Sequence, residues 1–318
     1  MRKLSIVDSD WADDPAYAWP ATYDATHTGN ETGDGQMIDM WTIKKPNVLQ
    51  TNFYGASVYF DEMTIFEDQI ETAFSGPEQL GSFLSLIMTN LSNRLELSNE
   101  NIKRGLVANM IGSLVDEANT DRVVHLLTEY NAATGQTFTP ITIMQPANFP
   151  AFMKWAYARI ASASDMLTER SVVYHQNITG KEVNRHTPVS MQRVFMFAPS
   201  RRQMDARVLA DAYHDNYLTQ AVNESVNFWQ DIATPTQIQV TPTYMDATGA
   251  LVTPGSSVTV NNVFAAIVDP EAIGYTVVNE RSTSAAYNGK GEYQNFWLKF
   301  TDRYWNDFTE NAIVFYLD

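Results

Sequence analysis

Apolar residues recur at steps of three, four and seven positions in a proline-free stretch near the end of the first third of the chain. The repeating positions are Leu80, Leu84, Ile87, Leu91, Leu95, Ile102, Leu106 and Met110. This spacing places one apolar stripe on an α-helix whose other positions are mainly polar. Ser75 as a possible N-cap and Pro77 in the first turn indicate its start. We predict one helix over Pro77–Ala118, about 63 Å long.

Such a helix is long for a chain of 318 residues. A compact globule of this size has a radius of gyration of about 20 Å, so its diameter is smaller than the length of the helix. One alternative is a break near Leu97–Glu100, where the apolar stripe is weakest. An unbroken helix predicts an elongated subunit that buries its flanks between neighbours.

The flanking segments predict strands and shorter helices. Alternation at Val58, Phe60, Met63 and Ile65 predicts a strand or hairpin before the long helix. The stretch "DRVVHLLTEYNAATG" after it predicts a short amphipathic helix that ends near Gly135.

The second half of the chain mixes both kinds of element. A helix is predicted to begin at the cap Asn148, and a strand over Val194–Ala198 is predicted to lead through a turn into a helix capped by Ser200. Strands follow, with a hairpin turn at Asn288-Gly289 and a last strand at Ala312–Leu317. The inward residues expected on the first of these helices are Phe152, Trp155, Ile160 and Leu167. The predicted class is α+β.

Composition narrows the possible functions. The net charge is −16 without a basic cluster, which argues against nonspecific nucleic-acid binding through a basic face. Cysteine is absent, so disulfides and thiolate chemistry are excluded. The first apolar run stops at Val7, and the longest is Val263–Val268, so neither a signal peptide nor a membrane span is expected.

Few residues suggest chemistry. A trio on a predicted helix (Asp211, His214 and Asp215) and the i,i+4 pair His125 and Glu129 are interpreted as surface groups. The acid pairs Asp13-Asp14 and Asp61-Glu62 are expected by chance among 37 acidic residues, and "GNETGDG" follows no strand that would make it a phosphate loop. We predict no catalytic, cofactor-binding or metal-binding residues, and no cofactor.

Three stretches carry a family resemblance. They are "IETAFSGPEQLGSFLSLIMTNLSNRLELSNENI", "VFMFAPS" with the helix after it, and "VFAAIVDPEAIGY…FWLKFTDRYWNDFTENAIVFYL". In this order they resemble tailed-bacteriophage major capsid proteins of the Hong Kong-97 fold, over roughly Asn47 to Leu317. The resemblance implies an N-terminal arm at 1–45, an extended loop at 46–75, a spine helix with the first part of a peripheral domain at 76–135, an axial domain at 136–260, and long strands returning through the peripheral domain at 261–318.

The resemblance also implies a function. The expected protein is a non-enzymatic head-shell subunit that forms hexamers and pentamers in an icosahedral shell around double-stranded DNA, contacted without sequence specificity. Scaffolding, portal and decoration proteins are possible partners, no membrane is involved, and the protein is expected in the virion after assembly in the host cytoplasm. Some members crosslink through a Lys–Asn bond, but nothing around Lys44 or Lys45 resembles that chemistry. An encapsulin-type compartment and an unrelated carbohydrate-binding or hydrolytic α+β protein are the alternatives.

Overall fold

The structure is a computed structural model that describes residues 2–6, 48–68, 70, 77–179, 181–207 and 222–318. Its contacts divide the chain into two units. In described residues, the larger unit comprises 2–6, 48–53, the described parts of 109–272, and 307–318. The smaller unit comprises the described parts of 54–108 together with 273–306.

The named helices include one very long element. They are α1 (Pro77–Glu117), α2 (Leu126–Thr134), α3 (Pro140–Ile143), α4 (Phe149–Thr168) and α5 (Ala198–Arg207). The named strands are β1 (Arg2–Ile6), β2 (Val48–Asn52), β3 (Ser57–Phe66), β4 (Val123–His125), β5 (Arg193–Phe197), β6 (Val222–Val226), β7 (Ile238–Val240), β8 (Tyr244–Met245), β9 (Leu251–Val252), β10 (Val258–Val260), β11 (Val263–Val268), β12 (Ile273–Asn288), β13 (Tyr293–Asn306) and β14 (Ala312–Tyr316).

The larger unit is built on a five-stranded sheet with the order β4-β14-β11-β5-β6. The central strand β11 is antiparallel to both of its neighbours, whereas the outer pairs β14–β4 and β5–β6 are parallel. All six residues of β11 are buried, as its uninterrupted apolar sequence requires. Helices α2 and α4 contribute Leu127, Phe152 and Ile160 to one apolar core with Ile267 and Phe315 of the sheet.

The smaller unit contains a three-stranded antiparallel sheet with the order β12-β13-β3. Its β12–β13 hairpin is tightly connected after Asn288, as the sequence predicted. Helix α1 packs Leu91 and Leu95 against Leu298 and Phe300 of β13, which closes one face of this sheet.

The long helix is confirmed. Helix α1 runs for 41 residues without a break at Leu97–Glu100, and it begins at Pro77 as predicted. It ends at Glu117 because Ala118 adopts a left-handed conformation, with φ of 54°. The proposed cap Ser75 lies outside the described residues. Segment Pro77–Ala108 belongs to the smaller unit and Asn109–Glu117 to the larger one.

Three local predictions were wrong or incomplete. Val123–His125 forms strand β4 rather than the start of the next helix, although that helix does end at Gly135, in the left-handed conformation. Ser200 lies inside α5, which begins directly after β5 at Ala198. Asn148 occupies the N-cap position of α4, but its side chain donates to the Thr142 carbonyl instead of capping.

Of the inward positions predicted on α4, three side chains are buried and Trp155 is partly buried against the same core. The five segments predicted from the resemblance remain a prediction. The two units found here cut the chain at different points, because 261–272 and 307–318 belong to the larger unit while the intervening strands belong to the smaller one.

Candidate assembly surface

One face of the smaller sheet exposes aromatic and aliphatic side chains. Burial alternates along β3, so that Tyr59 and Met63 pack towards α1 while Val58, Phe60 and Phe66 are exposed. Phe60 is 71% exposed, which is unusual for a phenylalanine in the middle of a paired strand. We call this side of the sheet the outer face.

The register with β13 defines the composition of the outer face. Opposite residues of an antiparallel pair share a face, so Phe60 stands beside Lys299 and Phe66 beside Tyr293. The Phe66 and Tyr293 rings have centroids 5.6 Å apart. Further along the ladder, the Thr64 hydroxyl donates to the Asn295 side-chain oxygen at 2.7 Å. The outer face therefore carries exposed aromatic rings, a residue type that is enriched in protein interfaces, beside charged and polar side chains.

The described members of the candidate chemical pairs form other contacts or are exposed. Glu129 receives a hydrogen bond from Arg159 Nε at 2.6 Å, whereas His125 Nδ1 lies 2.8 Å from Asp318 Oδ2. Asp61 accepts a 2.8 Å bond from Arg94 on α1, and the adjacent Glu62 side chain is exposed. The candidates Asp211, His214 and Asp215, the pair Asp13-Asp14, the "GNETGDG" stretch and Lys44 with Lys45 lie outside the described residues.

In the described part of the chain, no group of three or more His, Asp or Glu residues is placed to hold a metal ion. None of the described helices is long and apolar enough to cross a membrane.

The larger unit contains a buried ion pair that the sequence did not predict. Arg122 is fully buried and donates from Nη1 to Glu117 Oε2 at 2.7 Å, with its guanidinium carbon 5.8 Å from the centre of the Phe308 ring. Burial lowers the pKa of Arg122 to about 10, against the opposing effect of Glu117. Burial likewise raises the pKa of Glu117, which Arg122 partly offsets. These contacts lie within one subunit, in its larger unit.

The fold is shared with chains of two solved phage structures. The whole chain aligns with 80% of a chain in the capsid structure of Staphylococcus phage Andhra, at 10% identity and a TM-score of 0.62. It also aligns over its whole length with 81% of a chain in the structure of the head fibre and inner core protein gp22 of native bacteriophage P68, at 9% identity and a TM-score of 0.64.

The sequence itself identifies the family. The chain belongs to the Phi29-like phage major capsid protein family, whose model matches residues 22–316. No curated protein matches this sequence. The protein is therefore a major capsid protein of a phage head shell and a component of the virion, and the predicted α+β capsid fold is confirmed.

Proposed function

We propose that this subunit forms hexamers and pentamers of an icosahedral head shell around double-stranded DNA, and that the outer face of the smaller sheet is one of its inter-subunit contacts. The observation that carries the contact is the exposure of Val58, Phe60 and Phe66 on one side of β3 in a protein of net charge −16. Exposed apolar area is costly in water, and it is stabilising when a second subunit covers it.

The shell is proposed to have a structural and non-enzymatic role. The acidic charge supports a coat that contacts packaged DNA without condensing it or reading its sequence, because binding to phosphates requires cationic side chains. Scaffolding, portal and decoration proteins are further proposed partners, with assembly in the host cytoplasm. Membership of the capsid family favours this shell over an encapsulin-type compartment and over a carbohydrate-binding or hydrolytic protein.

Replacement of Phe60 tests the contact. Phe60→Asp places a carboxylate opposite Lys299, so the isolated subunit is expected to fold as before. Its assembly into shells, measured by sedimentation and electron microscopy, is expected to fall at least tenfold. Leu251→Asp on β9 is a matched control, since Leu251 is 75% exposed and also lies on a strand.

The two variants separate the proposed contact from general surface effects. Normal shells from Phe60→Asp, with a loss of assembly in Leu251→Asp, would show that the outer face is not the inter-subunit contact. The DNA content of purified particles tests the proposed cargo. Shells that reproducibly exclude DNA when the packaging machinery is present would contradict a genome container.

A further inference from the structure

Strand β1 is attached to its own subunit in an unusual way. It pairs antiparallel with β2 in the larger unit, with Ile6 opposite Val48 at the end of the ladder. Leu4 and Ile6 are 60% and 68% exposed, while Lys3 and Ser5 are partly buried. The strand therefore turns its polar side towards the protein and its apolar side towards solvent, the reverse of the usual arrangement.

The two strands of this ribbon are held by different forces. Leu49 of β2 is buried in a small apolar cluster with Val183. The two apolar side chains of β1 are instead mostly exposed. Apart from the ladder with β2, β1 is held by polar contacts, and the most deeply placed of these is the ammonium group of Lys3.

Lys3 enters a socket of carboxylates. Its Nζ lies 2.9 Å from Glu271 Oε2 and 3.2 Å from Asp307 Oδ2, and it also contacts Glu310 Oε1. The Asp307 and Glu310 side chains are only 1% and 6% exposed, whereas Glu271 is largely exposed. We call Glu271, Asp307 and Glu310 the Lys3 socket. Arg185 pairs with Glu310 from within the larger unit and donates from Nη2 to Ser5 Oγ at 3.2 Å.

Charge balance at this position depends on β1. With the strand docked, Lys3 and Arg185 neutralise the buried carboxylates Asp307 and Glu310. Without it, Arg185 still pairs with Glu310, whereas Asp307 has no ion-pair partner left among the described residues. Removing one partner from a buried ionic group is strongly unfavourable, because the other charge is then left without compensation.

We propose that β1 is a strap that docks onto its own subunit as a separate step, and that insertion of Lys3 into the Lys3 socket is the latch that holds it. In the docked strap Ile6 pairs with Val48, so the two residues that flank positions 7–47 lie directly opposite each other. Docking concerns the single subunit, so its test is independent of shell assembly.

Hydrogen exchange on the unassembled full-length subunit tests the latch. Lys3→Met is expected to lower the protection of the amides of β1 and of the facing strand β2 at least tenfold. The core strands β11 and β14 are expected to keep their protection, since they lie in the apolar core. Arg2→Met is the matched control, because Arg2 is exposed and contacts only Gln50 among the hydrogen bonds of the described residues.

A compensating variant distinguishes a charge latch from lost packing. Lys3→Met combined with Asp307→Asn restores the balance of one cation and one carboxylate, and it is expected to recover at least part of the protection. Unchanged exchange in Lys3→Met would overturn the proposal. So would equal loss of protection in β1 and β11, which would make β1 part of the core, or a double variant no better protected than Lys3→Met.

Discussion

The side chain of Arg122 lies in the core of the larger unit with Nη1 2.7 Å from Glu117 Oε2, at the last residue of α1. Its Nε and Nη2 have no hydrogen-bond partner among the described residues. Glu117 is therefore the ion-pair partner of Arg122 among the described residues, and loss of either member is expected to leave the other charge without compensation. The end of the long helix is thus tied by a single ionic contact to the start of β4, which Arg122 immediately precedes.

Removal of one member of this pair is expected to cost more than removal of both. Glu117→Gln leaves the buried guanidinium without its counter-ion, and we expect a loss of about 3 to 5 kcal/mol in the free energy of unfolding. The double variant Glu117→Gln with Arg122→Met removes both charges and is expected to lose less. Urea denaturation of the wild type, Glu117→Gln, Arg122→Met and the double variant measures the coupling. A double variant as unstable as the sum of the two single variants would show that the pair is not coupled.

A buried histidine predicts a loss of stability in acid. Burial, together with the charge of Arg185, lowers the pKa of His175 to about 4, although a hydrogen bond with Asn311 opposes this. The native state then binds fewer protons than the unfolded state between about pH 4 and 6.5, so stability falls as the pH falls through that window. The full effect is up to about 3 kcal/mol.

Comparison with His175→Asn isolates this contribution. The pKa values of Glu117 and Glu310 are raised, mainly by burial, and give the opposite pH dependence in both proteins. Lowering the pH from 7 to 4.5 is expected to reduce the unfolding free energy of the wild type more than that of the variant. A pH-independent difference would mean that His175 titrates normally in the native state.

Two glycines of the same helix predict opposite effects of one substitution. A Cβ atom on Gly112 would lie 2.3 Å from Val240 Cγ1, whereas nothing lies within 4 Å of a Cβ on Gly105. Gly105→Ala is therefore expected to stabilise the protein by up to about 1 kcal/mol through helix propensity. Gly112→Ala is expected to destabilise it by about 1 to 3 kcal/mol through overpacking. Thermal unfolding of both variants checks the signs, and stabilisation by Gly112→Ala would show that Val240 moves aside freely.

Sequence periodicity located the elements that have one solvent face. Helix α1 and strand β3 keep a regular repeat because one side of each packs and the other faces solvent. Leu91 and Met63 lie on the packed sides, whereas Leu97 and Phe60 are exposed. The repeat also predicted which residues of β3 share a face, but it did not predict that the aromatic rings of the outer face are exposed. That depends on which face α1 covers.

The missed features depend on contacts between distant parts of the chain. Val123 became a strand residue because it pairs in parallel with Val314, and no local pattern reveals such a partner. Lys3 contacts Asp307 across 304 positions, so its role was equally invisible in an acidic and apparently irregular N-terminal region. The resemblance implied an order of elements, whereas the ionic contacts join residues that only the folded chain brings together.

Shell assembly is expected to require α1 to be unbroken. Leu97 lies in the middle of the helix at the position where a break was the alternative, and its side chain is 60% exposed. Leu97→Pro removes a backbone hydrogen bond and clashes with the preceding turn, so we expect a loss of about 3 kcal/mol or more. Leu97→Ala is the control, since an exposed helix position tolerates alanine. We expect the alanine variant to form shells normally and the proline variant to form none, as seen by electron microscopy after size-exclusion chromatography. Normal shells from Leu97→Pro would show that assembly does not require α1 to be one continuous helix.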